Sequence, residues 1–177
     1  MSDDNAAVHV VPYDPTWPER FEEERHVLAD ALAPWLVGPI EHVGSTAVPG
    51  LAAKPVIDIM APVRDLESSR STIEALSILG YCYWPYRAEV MHWFCKPSAA
   101  HRTHHLHVVP YSSQLWFDRL AFRNYLRAHP AVAADYANLK HGLAKMYEFD
   151  RDAYTEAKLP FVEQVLRMAS EKDRTSV

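Results

Sequence analysis

Residues 41–60 read "EHVGSTAVPGLAAKPVIDIM". Two short β-prone runs, residues 40–43 and 56–63, bracket a loop punctuated by Gly44, Pro49, Gly50, Lys54 and Pro55. Gly44 lets backbone approach a ligand closely, and Ser45 adds a hydroxyl beside exposed amides. Amides in such a turn favour phosphate oxygens. Asp58 projects from an apolar strand, where a buried carboxylate is costly unless it meets a cation or a metal. Lys54, four residues upstream, supplies charge either to a phosphate or to Asp58 itself. The plain structural alternative is a strand-end aspartate tying down a loop, with Ser45 as an N-cap. Spacing alone leaves both open.

Upstream, "DPTWPERF" (residues 14–21) reads as a helix start. Thr16 is the expected N-cap, Pro18 sits in the first turn, and Glu19 closes a capping box. Trp17, Phe21, Leu28, Leu32 and Trp35 follow at helical spacing as one buried stripe, which Pro34 and Gly38-Pro39 end. Residues 8–12 are an apolar run expected as an edge strand, and residues 1–7 a frayed polar tail. Downstream, residues 66–79 read as a helix stopped by Gly80, residues 81–86 and 90–95 as a hairpin, and residues 106–109 as a further strand. The rest is helical: Gln114–Ala128, a helix opening at Pro130, and one from about Asp152 that Pro160 kinks or breaks. No repeat or linker interrupts the order. Residues 1–177 are therefore expected to form a single α+β domain, a mixed β-sheet flanked by helices with a helical C-terminal third.

At 177 residues, 49% apolar and 23% charged, the chain is sized for one core. Its net charge of −5 is uneven: residues 1–30 sum to −6 and residues 31–177 to +1. That leaves room for an anion site and excludes a broad nucleic-acid surface. No apolar run approaches the roughly 20 residues of a membrane span, and no signal peptide is expected ahead of the first helix. Cys82 and Cys95 match neither a disulfide framework nor a zinc pattern. They are expected reduced and buried, in a cytoplasmic protein.

The Gly-Ser pair, the dozen-residue gap and the strand aspartate resemble the signature of the nucleotidyltransferase (polymerase-beta-like) superfamily. The fuller resemblance is to the GrpB family within it, through "EHVGSTAVPGLAAKPVIDIM", "RTHHLHVVP", "FRNYLRAHP" and "YTEAKLPFVEQVL" in that order. These motifs lie between roughly residues 10 and 170. The resemblance implies a nucleotidyltransferase-like fold in which Mg²⁺ or Mn²⁺ binds a nucleoside triphosphate, the donor substrate. Domains of this family also occur fused to dephospho-CoA kinases, a pointer to nucleotide or coenzyme chemistry. In such enzymes two carboxylates on one strand face hold the metals. Here the second position, two residues after Asp58, is Met60, and a thioether does not hold a hard cation such as Mg²⁺. By the same resemblance, C-terminal helices present Lys140, Tyr154 and Lys158 to the triphosphate, with Arg123 and Arg127 as further phosphate contacts.

"HRTHHLHVV" places His105 and His107 on one strand face, with His104 and Leu106 on the other. If that strand neighbours Asp58, the two imidazoles and one carboxylate suit Zn²⁺, Mn²⁺ or Fe²⁺ better than Mg²⁺. Alternatively they donate to phosphate, or one acts as a general base. A polar strand of hydrogen-bonded histidines is the structural alternative, and it is preferred for His101 and His104. Arg119, Arg123 and Arg127 form a helical stripe in which Arg123 is weighted ahead of Arg119. Three functions follow. The first is metal-dependent transfer of a nucleotidyl group from an NTP to a small-molecule acceptor. The others are a degenerate nucleotide- or coenzyme-binding module, favoured by Met60, and a His/Asp metal-site hydrolase.

Overall fold

The computed structural model describes residues 7–175, so nearly all of the expected N-terminal tail lies outside the described residues. Helix α1 spans Trp17–Leu32. Its start differs from the expected capping box. The Thr16 side chain caps nothing; instead Asp14 Oδ1 accepts from Thr16 N at 2.9 Å and Thr16 Oγ1 at 2.8 Å. The aspartate two residues earlier reaches the open turn first, as an Asx turn does. The apolar run at residues 8–12 likewise yields only one bridge, Val11 to Ala53, and no strand.

Five strands follow: β1 (Glu41–Val43), β2 (Ile57–Val63), β3 (Cys82–Trp84), β4 (His92–Pro97) and β5 (Arg102–Pro110). They form one mixed sheet in the order β1-β2-β5-β4-β3. Only the β2–β5 pair is parallel. The expected hairpin is β3–β4, with Tyr83 opposite Phe94. Helix α2 (Thr72–Ile78) is shorter than the periodicity predicts. Asp65 accepts from Ser68 N and Oγ, and Ser69 Oγ donates to the Asp65 carbonyl, so local side-chain bonds hold residues 65–69 in turns.

Register sorts the two faces. Ile57, Ile59, Ala61, Leu106, Val108 and Phe94 point to one side, where Trp17, Phe21, Leu28 and Leu32 of α1 and Leu76 of α2 close the main core. On the other face Asp58 lies opposite His105, and Met60 opposite His107. Trp116 packs here against Val43, Met60, Trp93 and Val109, from the first turn of α3 (Gln114–Ala128). A third core joins α3 to α4 (Pro130–Met146) and α6 (Leu159–Thr175) through Leu126, Tyr136 and Val165. Between them the expected last helix is two: α5 (Arg151–Glu156) ends before Lys158, and Pro160 falls in the first turn of α6. Cys95 is buried as expected, whereas Cys82, on the outermost strand, is exposed.

Candidate functional site

Asp58 is the hub. Gly44 follows β1 directly, and β1 holds Val43 opposite Asp58, so the loop turns away against the carboxylate. Gly44 has φ +71, and a Cβ there would collide with Asp58 Oδ2. Ser45 opens a 3-10 turn (Ser45–Ala47) whose N-cap is Gly44. Ser45 is therefore no N-cap; its hydroxyl pairs with Tyr136 of α4.

The parallel β2–β5 pairing brings both histidines to the aspartate. His105 Nδ1 donates to Asp58 Oδ1 at 3.0 Å, while His107 Nε2 stands 3.8 Å from the same oxygen. His107 Nδ1 meets Met91 Sδ at 3.4 Å. Burial would raise the Asp58 pKa, but the two imidazoles outweigh it and hold the carboxyl well below its usual range. Asp58 is an anion at neutral pH. Burial also pushes His107 down to about 4, so it is neutral there. Met60 is fully buried beside them. Among the described residues, no group of three or more His, Cys, Asp or Glu is arranged to hold a metal ion.

Cations ring this carboxylate. The sequence places Tyr136 and Lys140 one helical turn apart on α4, and Tyr154 in α5 with Lys158 in the turn just after it. Lys140 Nζ lies 4.7 Å from the Tyr136 ring centroid and donates to the Ala52 carbonyl. Lys158 Nζ and Lys54 Nζ lie over the Tyr154 ring, at 4.4 and 5.2 Å. Burial, then repulsion from Lys158, pushes Lys140 down to about 7. Burial, then Lys54, pushes Lys158 down to about 8. The charge of Asp58 acts on both lysines in the opposite sense. One carboxylate thus faces an excess of buried positive charge, a field that suits an anionic ligand.

Of the arginine stripe, Arg123 is not at this site. Its Nη1 bonds Glu41 Oε2 at 2.6 Å and the His42 carbonyl at 2.8 Å, tying α3 to β1. Arg127 Nε likewise donates to the Ala47 carbonyl at 2.8 Å. Arg119, the one weighted lowest, faces Asp58, Tyr136 and His107, and its Nε is buried without a hydrogen-bond partner. Sequence reasoning saw the stripe but not which turn of α3 crosses the sheet beside Asp58. Tyr136, buried on α4, also reaches Ser45 with its hydroxyl. His104 lies on the opposite face, bonded to Thr103 Oγ1 at 2.9 Å, in keeping with a structural role. Two surface clefts, of about 550 and 400 Å³, lie elsewhere: one between the loop at Pro49–Leu51 and α3–α4, the other between α1 and Arg123.

A mixed five-stranded sheet with a buried, cation-ringed aspartate on β2 defines an α+β protein. The chain belongs to the GrpB family: the family profile described as GrpB protein matches residues 7–168. The crystal structure of GrpB from Enterococcus faecalis superposes with a TM-score of 0.84 at 36% identity, covering 93% of this chain and 98% of that one. The UPF0157 protein PA4798 of Pseudomonas aeruginosa is 42% identical over 94% of this chain and 69% of its own length. A dephospho-CoA kinase of Mycolicibacterium paratuberculosis is 29% identical over 93% of this chain, which spans 46% of that protein.

Proposed function

We propose that this protein is a nucleotidyltransferase that binds a nucleoside triphosphate over the Gly44–Ser45 loop and passes its nucleotidyl group to a small acceptor. The observation that carries this reading is the gathering of Lys54, Lys140 and Lys158 around Asp58, with Lys54 and Lys158 on the Tyr154 ring and Lys140 bonded to the Ala52 carbonyl of the same loop. Membership of the nucleotidyltransferase superfamily is part of the proposal, resting on the Gly-Ser…Asp signature within this fold.

A pair of Mg²⁺ ions does not fit these residues. Met60 is fully buried where the second carboxylate would stand, and one oxygen of Asp58 is already bonded to His105. The lysines therefore neutralise the triphosphate. His105 donates a hydrogen bond from its Nδ1–H to Asp58, which fixes the tautomer with the lone pair on Nε2, an atom buried without a partner. That nitrogen takes the proton from the acceptor hydroxyl. The acceptor oxygen then bonds to the α-phosphorus, the bond from that phosphorus to the bridging oxygen breaks, and pyrophosphate leaves toward Lys140 and Lys158.

A second reading has its own observation. Nε2 of His105 and of His107 are both buried and unpartnered, a state that suits imidazoles open to a metal. Together with Asp58 they are the donor types that suit Mn²⁺ or Zn²⁺ rather than Mg²⁺, and the three side chains would have to turn toward a common point to hold either ion. Turnover separates these readings. Protein incubated with α-phosphate-labelled ATP or GTP and a panel of hydroxyl-bearing acceptors should release pyrophosphate, and His105→Gln should slow release at least a hundredfold. Nucleotide binding with no release on any acceptor would leave a binding module. Stoichiometric zinc or manganese in untagged protein would favour the metal reading.

A further inference from the structure

Asp58 is also bordered by arginines that the donor reading does not use, on a flank that continues from Lys158, since Arg119 acts on that lysine as well as on Asp58. Arg119 enters it from α3 and acts electrostatically on His107. Arg87 reaches the same place from the turn between β3 and β4, and its charge repels that of Arg119. Asp58 is the acid that acts on Arg119, yet its hydrogen bond goes to His105. Arg119 Nε is buried with no hydrogen-bond partner, a costly state for a guanidinium unless an oxyanion completes it. Arg87 is held at φ 50, the one positive-φ non-glycine residue among those described. That strain is tolerated where the turn must present a side chain to a particular spot. Tyr86 beside it is half exposed, with its ring 6.4 Å from that of Trp93, and Trp93 in turn lies 5.2 Å from His105. The flank thus offers two arginines and an aromatic shelf, next to the imidazole assigned as the base.

We propose that Arg119 and Arg87 form a second anion subsite, which receives a phosphate or carboxylate group of the acceptor and sets its hydroxyl against His105. The acceptor role rests on the donor reading above; the anion subsite itself does not. An acceptor of this class is a small phosphorylated or carboxylated alcohol rather than a neutral sugar or a polymer end.

The test uses Lys158→Met protein, whose lysine flank is weakened, titrated with inorganic phosphate and in parallel with acetate while tryptophan fluorescence is followed. A saturable response is expected, weakened at least tenfold by adding Arg119→Gln and also by adding Arg87→Gln. The latter changes an exposed turn side chain and so guards against misfolding of the former. The stronger of the two anions identifies the acceptor's charged group. No saturable response to either anion, or a response that Arg87→Gln leaves within twofold, overturns the subsite. Because no nucleotide takes part, failure of the wild-type protein to bind ATP would sink the donor reading and leave this result standing.

Discussion

Lys140 and Lys158 are held at about 7 and about 8, first by burial and then by neighbouring cations. An anion binds their protonated forms. Nucleotide affinity is therefore expected to fall as pH rises from 6.5 to 8.5, in calorimetry at constant ionic strength. Stability should move the other way. Their folded pKa values lie below the unfolded 10.5, so between about 7 and 10.5 the unfolded chain binds more protons and stability rises with pH. Gly44 is the second residue on which the site turns. Gly44→Ala forces a side chain into φ +71 and against Asp58, and is expected to cost about 1–3 kcal/mol in denaturant unfolding. It should also abolish nucleotide binding, because relief of the clash moves the loop or the carboxylate.

Helix α3 shows how one stripe divides into different roles. Arg119 faces the sheet centre, whereas Arg123 one turn later is spent on Glu41 and the His42 carbonyl. Arg123→Ala leaves Glu41 without its partner and is expected to lower stability by about 3 kcal/mol in urea. Nucleotide affinity of the folded fraction should change little, which separates a strut from a ligand contact. The i, i+4, i+8 spacing was legible in the sequence, but its phase against β1 was not. Phase depends on where Trp116 seats in the core on that face, and no local pattern encodes that. Helix α2 was overextended for a related reason: its apolar period continues through residues whose serines and Asp65 bond locally instead. Asp58, His105 and His107 were legible because strand alternation fixes faces, but their meeting required the parallel β2–β5 register.

Over the whole fold, the order of elements and the mixed sheet could be read from periodicity and turn residues, while strand order could not. Placing β5 between β2 and β4 is a long-range choice, and it builds the site. The same packing makes the protein acid-sensitive. His42 is stacked on Phe21, with centroids 4.6 Å apart, and burial pushes it down to about 4. Its folded pKa lies below the unfolded 6.5, so stability is lost as pH falls from 6.5 through 4. His92 and His104, also lowered, add to the loss. The thermal midpoint should drop across that window, and His42→Gln should flatten the drop. What matters above all is whether the charge around Asp58 serves a triphosphate. Calorimetric titration of metal-stripped protein with ATP and GTP, with and without Mg²⁺ or Mn²⁺, decides it. One of the two nucleotides should bind, with affinity reduced at least tenfold by Lys158→Met and by Lys140→Met. No heat with either nucleotide under any metal condition, from protein shown to be folded, would contradict it.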